Sequence, residues 1–144
     1  MPVTEASLQN VMSLKSRKNE PTWKKAATEN TGMLNLASVA AWSREQNTVF
    51  ARVLVDSDKD QIKKFTFGFS DRCRVYLNDN LLYTGDDNYS SRDYRFLGTV
   101  GYYDAVYLQL KKGRNEIRIA VSENFGGWGV KGTFDNLEGI TLVK

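Results

Sequence analysis

Histidine is absent from the chain, and cysteine and proline are scarce. The 144 residues include no histidine, two prolines and one cysteine, Cys73. The lack of histidine excludes Ser-His-Asp and Cys-His catalysis, histidine-ligated zinc and most general-base chemistry near neutral pH. A single cysteine excludes an internal disulfide bond. An enzyme built on this chain would therefore depend on carboxylates, lysine or tyrosine.

The sequence also lacks long apolar runs and a strong charge of one sign. No apolar stretch approaches the roughly 20 residues of a membrane-spanning helix, so we expect no membrane span. The polar N-terminus shows no signal-peptide pattern. The net charge is only +3, and the basic residues are not focused in a stripe, so we expect no nucleic-acid partner.

The stretch GWGVKG, residues 127–132, matches the glycine fingerprint of dinucleotide-binding folds. That fingerprint requires a helix that opens at the glycines and a second strand with an acidic residue about 20 positions later. The residues that follow, TFDNLEGITLVK, show neither feature. We interpret the match as a coincidence and predict no cofactor.

Apolar and polar residues alternate along most of the chain, which is typical of half-buried β-strands. The predicted strands cover residues 33–37, 47–56, 61–70, 72–78, 81–83, 93–98, 106–112, 115–122, 128–134 and 140–143. No long helical pattern separates them. Short strands joined by polar turns predict an all-β sandwich or barrel.

Strand 72–78 shows the alternation clearly. Cys73, Val75 and Leu77 are predicted to point into the core, while the alternate residues, including Arg74 and Tyr76, point outward. Cys73 is therefore interpreted as a small core residue rather than a reactive thiol.

The N-terminal region has a different pattern. Residues 4–16 carry Leu8, Val11 and Met12 at helical spacing, which predicts a weak amphipathic helix or an ordered tail. Pro21 closes a polar linker after it. We predict an N-terminal extension at residues 1–22 and one β-sandwich domain at residues 23–144.

Three stretches resemble the jelly-roll modules of the galactose-binding-domain-like superfamily. They are FSDRCRVYLNDNLLYTGD, a strand–turn–strand unit, LQLKKGRNEIRIAVS, a strand pair, and SENFGGWGV, a crossing with glycines and tryptophan. The turn is Asp79-Asn80 instead of the usual Gly-Lys, and Val130 replaces the common phenylalanine. The resemblance implies a jelly-roll β-sandwich that serves as a non-catalytic carbohydrate-binding or accessory module. It further implies a larger secreted or cell-surface parent protein, whose other domains would be partners.

The loop at residues 85–98, GDDNYSSRDYRFLG, is the most polar region. Sugar recognition requires planar polar groups for paired hydroxyls and an aromatic face for the C–H side of the ring. The predicted glycan contacts are Asp86, Asp87, Asn88, Tyr89, Arg92, Asp93, Tyr94 and Arg95, with Asn124 and Trp128 as neighbours. The alternative is a solvated loop that its Asp–Arg pairs hold in shape. Trp128 could be a lid on the core or an exposed aromatic platform.

Two other functions remain open. One is a structural or protein-interaction module with no small ligand. The more distant one is a carboxylate-based hydrolase, which needs two carboxyl groups facing each other across a cleft. The candidates for that role are Asp86, Asp87, Asp93, Asp104 and Glu123.

Residues 56–60 begin like a calcium loop, D-x-D-x-D. Gln61 and Phe67 stand where an EF-hand requires glycine and glutamate, so an EF-hand is excluded. A polar hairpin turn is predicted, with a loose calcium site on this loop as the alternative. We assign no metal ligands.

Overall fold

The computed structural model describes residues 3–9, 11–16, 22–87, 100–124 and 126–144. These residues form nine strands: β1 Leu34–Asn35, β2 Thr48–Ser57, β3 Gln61–Ser70, β4 Arg72–Leu77, β5 Asn80–Asp86, β6 Asp104–Leu110, β7 Gly113–Ser122, β8 Gly129–Phe134 and β9 Ile140–Leu142. The predicted strand 93–98 lies outside the described residues. The helical segments in the described ranges are single 3₁₀ turns at Glu5–Leu8, Leu14–Ser16 and Leu36–Ser38.

The strands form two antiparallel sheets. One sheet has the order β1-β8-β3-β6 and the other the order β5-β4-β7-β2-β9. This architecture confirms the predicted β-sandwich. None of the helical segments in the described ranges has the length and hydrophobicity that a membrane-spanning helix needs.

The alternating residues of both sheets build one core between them. Phe65, Phe67 and Phe69 of β3 are buried on the inner face of the four-stranded sheet. From the other sheet, Cys73 and Val75 are buried in the same cluster, as predicted. Because period-two strands place every second side chain on one face, the apolar pattern fixes which face each sheet buries.

The β4–β5 hairpin turns where the sequence predicts it. Asn78 and Asp79 adopt left-handed backbone, with φ of 48° and 71°. Asparagine and aspartate tolerate this region better than other side-chain-bearing residues. The hairpin therefore places β5, with Asp86 as its last residue, at the edge of the five-stranded sheet.

The stretch with the glycine fingerprint is a strand. Gly129 and Gly132 lie in β8, which pairs with β3. A side chain at position 132 would collide with the ring of Phe65. The match to the dinucleotide fingerprint is therefore a coincidence. Glycine is required at position 132 because the ring of Phe65 leaves no room for a side chain.

The N-terminal residues pack against the outer face of the five-stranded sheet. Leu8 and Leu14 form a second buried cluster with Tyr76 and Ala120. The buried Glu5 carboxylate lies 2.6 Å from an Nη1 of Arg72, which adds an ion pair to the contact. The outward residues of β4 therefore point outward as predicted, but the N-terminal segment covers them.

Of the two conformations predicted for residues 4–16, the described residues fit the ordered tail. They include two 3₁₀ turns, Glu5–Leu8 and Leu14–Ser16, because contacts with the sheet set their conformation. The predicted strand at residues 33–37 is too long, because the observed strand covers only Leu34–Asn35 and a 3₁₀ turn begins at Leu36. The side chain of Asn35 caps this turn by accepting a hydrogen bond from the N–H of Ala37. The division into residues 1–22 and 23–144 stays a prediction.

Candidate functional site

Asp71 joins three chain segments at one end of the sandwich. Its backbone N–H donates to the carbonyl oxygen of Ser122 at 3.0 Å, and its carbonyl oxygen accepts from the N–H of Asp87 at 2.7 Å. Its carboxylate oxygen Oδ2 accepts from the N–H of Asn124 at 2.8 Å. Asp71 thus holds the start of β4 beside the ends of β5 and β7.

The structure therefore brings together three of the predicted contact residues. Asp86 is exposed and lies 3.5 Å from Nε of Arg72. Asp87 is buried, while the side chain of Asn124 is exposed. The remaining predicted loop contacts, from Asn88 to Arg95, lie outside the described residues.

An exposed tryptophan that the sequence analysis missed stands at the same end. Trp42 is 49% exposed, and its indole N–H donates to the carbonyl oxygen of Glu123 at 3.0 Å. The N–H of Glu123 in turn donates to the carbonyl oxygen of Asn47 at 2.9 Å. Both ends of the 42–47 loop are thereby fixed to the residue that precedes Asn124. We call the group Trp42, Asp86, Asp87 and Asn124 the Trp42 site.

Only weak sequence signals could have identified Trp42. It follows two alanines and precedes the polar stretch SREQN, outside any alternating pattern. A large aromatic residue in a polar loop, without a periodic core pattern around it, is a candidate for an exposed role. The hydrogen bond that fixes it connects residues 81 positions apart, which local sequence does not reveal.

Trp128 is predicted to be either a lid on the core or an exposed platform, and its burial fits the lid. Its side chain is only 4% exposed, and its indole N–H donates to the carbonyl oxygen of Val121 at 3.0 Å. A stacking platform requires an exposed ring face. Trp128 is therefore a lid on the core, and its assignment as an aromatic platform for a ligand is corrected.

Glu123, at this end of the molecule, has a raised pKa. Its side chain is buried, which raises its pKa, and the neighbouring Asp71 carboxylate raises it further. A hydrogen bond from the backbone of Gly127 opposes both effects, and the pKa of Glu123 is about 7. Desolvation and a like charge both disfavour the ionised form. Glu123 therefore changes its charge near neutral pH.

The carboxylates of Asp71 and Asp104 form hydrogen bonds within the protein. Asp71 accepts from Ser70 Oγ at 3.1 Å as well as from Asn124. Asp104 accepts from the hydroxyl of Tyr83 at 2.7 Å. Within the described part of the chain, no group of three histidine, cysteine, aspartate or glutamate side chains is placed to hold a metal ion. The arrangement offers hydrogen bonding and ring stacking to a ligand.

The acidic motif at residues 56–60 lies at the opposite end, in the turn between β2 and β3. Asp56 pairs with Arg114, which lowers the pKa of Asp56. Asp60 accepts from the N–H of Lys112 at 2.8 Å. These partners fit the predicted polar hairpin turn.

Comparison with known proteins places the fold. No family model and no curated protein sequence matches the chain. Its structure is similar to that of a β-glucosidase from Kluyveromyces marxianus, with a TM-score of 0.52 and 17% identity, over 85% of this chain and 15% of that one. The same enzyme in complex with glucose gives a TM-score of 0.51. A family 35 carbohydrate-binding module from an environmental isolate matches at a TM-score of 0.43 and 20% identity, over 94% of this chain and 93% of that one.

These likenesses concern the fold. The chain is a sandwich of two antiparallel β-sheets, and its fold is similar to a part of that β-glucosidase. It spans about 15% of the length of the β-glucosidase that it matches. Binding residues on such scaffolds lie mostly in loops, so the Trp42 site is the first candidate for a binding site.

Proposed function

We propose that the chain is a non-catalytic glycan-binding module, with its sugar site at the Trp42 site. The observation that carries this proposal is the exposed indole of Trp42, fixed to the carbonyl oxygen of Glu123 beside the exposed amide of Asn124. A rigid exposed ring binds the C–H face of a sugar with little loss of conformational entropy.

Polar groups around the ring complete the recognition chemistry. The Asn124 side chain offers both a donor and an acceptor, which matches a hydroxyl pair on a sugar ring. The exposed carboxylate of Asp86 offers further hydrogen-bond acceptors. One exposed site of this kind gives affinities on the order of mM to µM.

The proposed parent protein acts on or attaches to carbohydrate. A β-glucosidase contains a similar sandwich over about 15% of its chain, which supports this proposal. The module would hold the parent protein close to its carbohydrate and would not itself catalyse a reaction.

A glycan-array screen followed by calorimetric titration of the strongest hit tests this function. We expect Trp42→Ala to weaken binding about 10- to 100-fold, the worth of a lost stacking contact. Tyr107→Ala is the matched control, because Tyr107 is an exposed aromatic residue (68%) on the other sheet. Equal affinity of the Trp42→Ala variant and the wild-type chain would reject the site.

A second candidate, a protein-interaction module, is favoured by one observation. Ile62 and Tyr107 are 62% and 68% exposed on neighbouring strands of the four-stranded sheet. Exposed apolar surface of this kind is a common feature of docking faces. Sedimentation of the isolated chain should then show self-association that Ile62→Ser and Tyr107→Ser remove. A wild-type chain that stays monomeric at high concentration would count against this candidate.

A further inference from the structure

A groove opens along the edge of β2. It has a volume of about 800 Å³ and runs between β2 and the segment from Thr22 to Ala26. β9 pairs with β2 only over Val55–Ser57, so the preceding part of β2 is a sheet edge that β9 leaves uncovered. We call this cavity the β2 groove. Val39 and Ala40, which line the groove, lie shortly before Trp42 in the chain. Within the described ranges, the groove shares no lining residue with the Trp42 site.

The lining of the β2 groove combines an apolar wall with a basic rim. Apolar side chains, among them Leu34, Leu36, Val49 and Leu54, form most of the wall. Its charged side chains are all basic: Lys24, Lys25, Arg52 and Lys144. Among the described residues, no aspartate or glutamate side chain lines the groove. Apolar clefts of this size with few polar groups are typical of small-molecule sites.

Lys24 and Lys25 supply positive charge at the rim of the groove. Both side chains are exposed, and neither forms an ion pair with a described carboxylate. Arg52 by contrast lies 3.6 Å from the carboxylate of Glu116. The positive charge of the rim without a described carboxylate partner therefore lies at Lys24, Lys25 and Lys144.

Trp23 lines the groove beside these lysines. The Arg52 guanidinium carbon lies 4.2 Å from the centroid of the Trp23 ring, which fixes the ring in position. The indole nitrogen is buried and has no hydrogen-bond partner among the described residues. The ring is therefore part of the groove wall, and its N–H resonance reports on a ligand bound there.

We propose that the β2 groove binds an amphipathic organic anion. The anionic head group, a carboxylate, sulfate or phosphate, lies at Lys24 and Lys25 beside the Trp23 ring. The apolar body lies along Phe50 and Leu54, which are on the same face of β2 as Arg52. Charge attraction selects the anion, and burial of the apolar body supplies most of the affinity. This binding is independent of the proposed glycan site.

Titration with short amphiphiles, followed by the indole N–H resonance of Trp23, tests the proposal. The probes are octanoate, octyl sulfate and octyl phosphate, with 1-octanol as the uncharged analogue and acetate as the anion without an apolar body. We expect the three anionic amphiphiles to shift the Trp23 resonance, which Trp23→Phe identifies. We expect 1-octanol and acetate to bind at least about tenfold more weakly.

Two variants locate the site. Lys24→Ala with Lys25→Ala should weaken the octyl anions about tenfold, while Lys64→Ala with Lys112→Ala, at exposed lysines elsewhere, should leave them unchanged. Ala26→Trp should block the groove from an exposed position with little effect on folding. Equal binding of octanoate and 1-octanol, or full binding by the Lys24/Lys25 variant, would overturn the proposal. So would a Trp23 resonance that no probe shifts. Differences among the three octyl anions identify the preferred head group.

Discussion

The buried carboxyl group of Glu123 makes the free energy of unfolding depend on pH. Its folded-state pKa of about 7 stands above the ordinary glutamate value. The folded state disfavours the charged form of Glu123. Folding is therefore most favourable at pH values where Glu123 is protonated in both the folded and the unfolded chain. This stability is fully present below the ordinary pKa and is lost as the pH rises through about 7.

We expect the free energy of unfolding to fall between pH 5 and pH 8 by on the order of 1–3 kcal/mol because of Glu123. Glu123→Gln, which stays neutral, should remove this decrease and should be more stable than the wild-type chain at pH 8. Urea denaturation at pH 5, 6.5 and 8 measures the effect. The exposed Glu138 provides the matched control, Glu138→Gln, which should keep the wild-type pH dependence. A Glu123→Gln variant with the same decrease would contradict this account.

The two tryptophans at this end show how far sequence reasoning reaches at the scale of a residue. Trp128 stands beside glycines at the start of a strand, so a role as a lid on the core could be predicted from its neighbours. Trp42 could not be predicted, because its position depends on a bond to Glu123 that only the folded chain forms. Within the predicted loop, Asp87 is buried where an exposed contact was expected.

At the scale of elements, the N-terminal segment belongs to the packed structure. Leu8 is fully buried against the five-stranded sheet in the cluster with Tyr76. The ion pair between Glu5 and Arg72 lies in the same contact. The segment therefore contributes to the stability of the sandwich rather than trailing from it.

We expect Leu8→Ala to lower the free energy of unfolding by about 2–5 kcal/mol, the usual cost of truncating a buried leucine. Met12→Ala is the control, because Met12 lies in the same segment and is 71% exposed. It should change stability by less than about 0.5 kcal/mol. The urea midpoints of the two variants measure this difference. Equal midpoints would mean that the segment does not fold as part of the sandwich.

The strands were predictable for a physical reason that does not extend to this segment. In β3 and β7, half-buried strands leave a period of two in the sequence, so Phe65, Phe67 and Phe69 identify a face directly. The described residues of this segment form two short 3₁₀ turns whose conformation follows the sheet surface. Local spacing alone could therefore not decide between the two predicted alternatives, a helix and an ordered tail.

At the scale of the whole molecule, the sandwich separates its scaffold from its surfaces. The two sheets bury the apolar pattern between them, and the strand ends carry the Trp42 site. The sheet edge at β2 opens a second surface of different chemistry, apolar with a basic rim. The alternation in the sequence predicts the scaffold, whereas both surfaces depend on contacts between distant segments.

The most direct test of the glycan-binding account is a ¹⁵N NMR titration of the wild-type chain with the strongest glycan hit. The account predicts shifts of the Trp42 indole N–H and of the Asn124 backbone and side-chain amides, with no change at the indole of the buried Trp128. Shifts confined to the face around Ile62 and Tyr107, or saturable binding that leaves Trp42 and Asn124 unchanged, would contradict it.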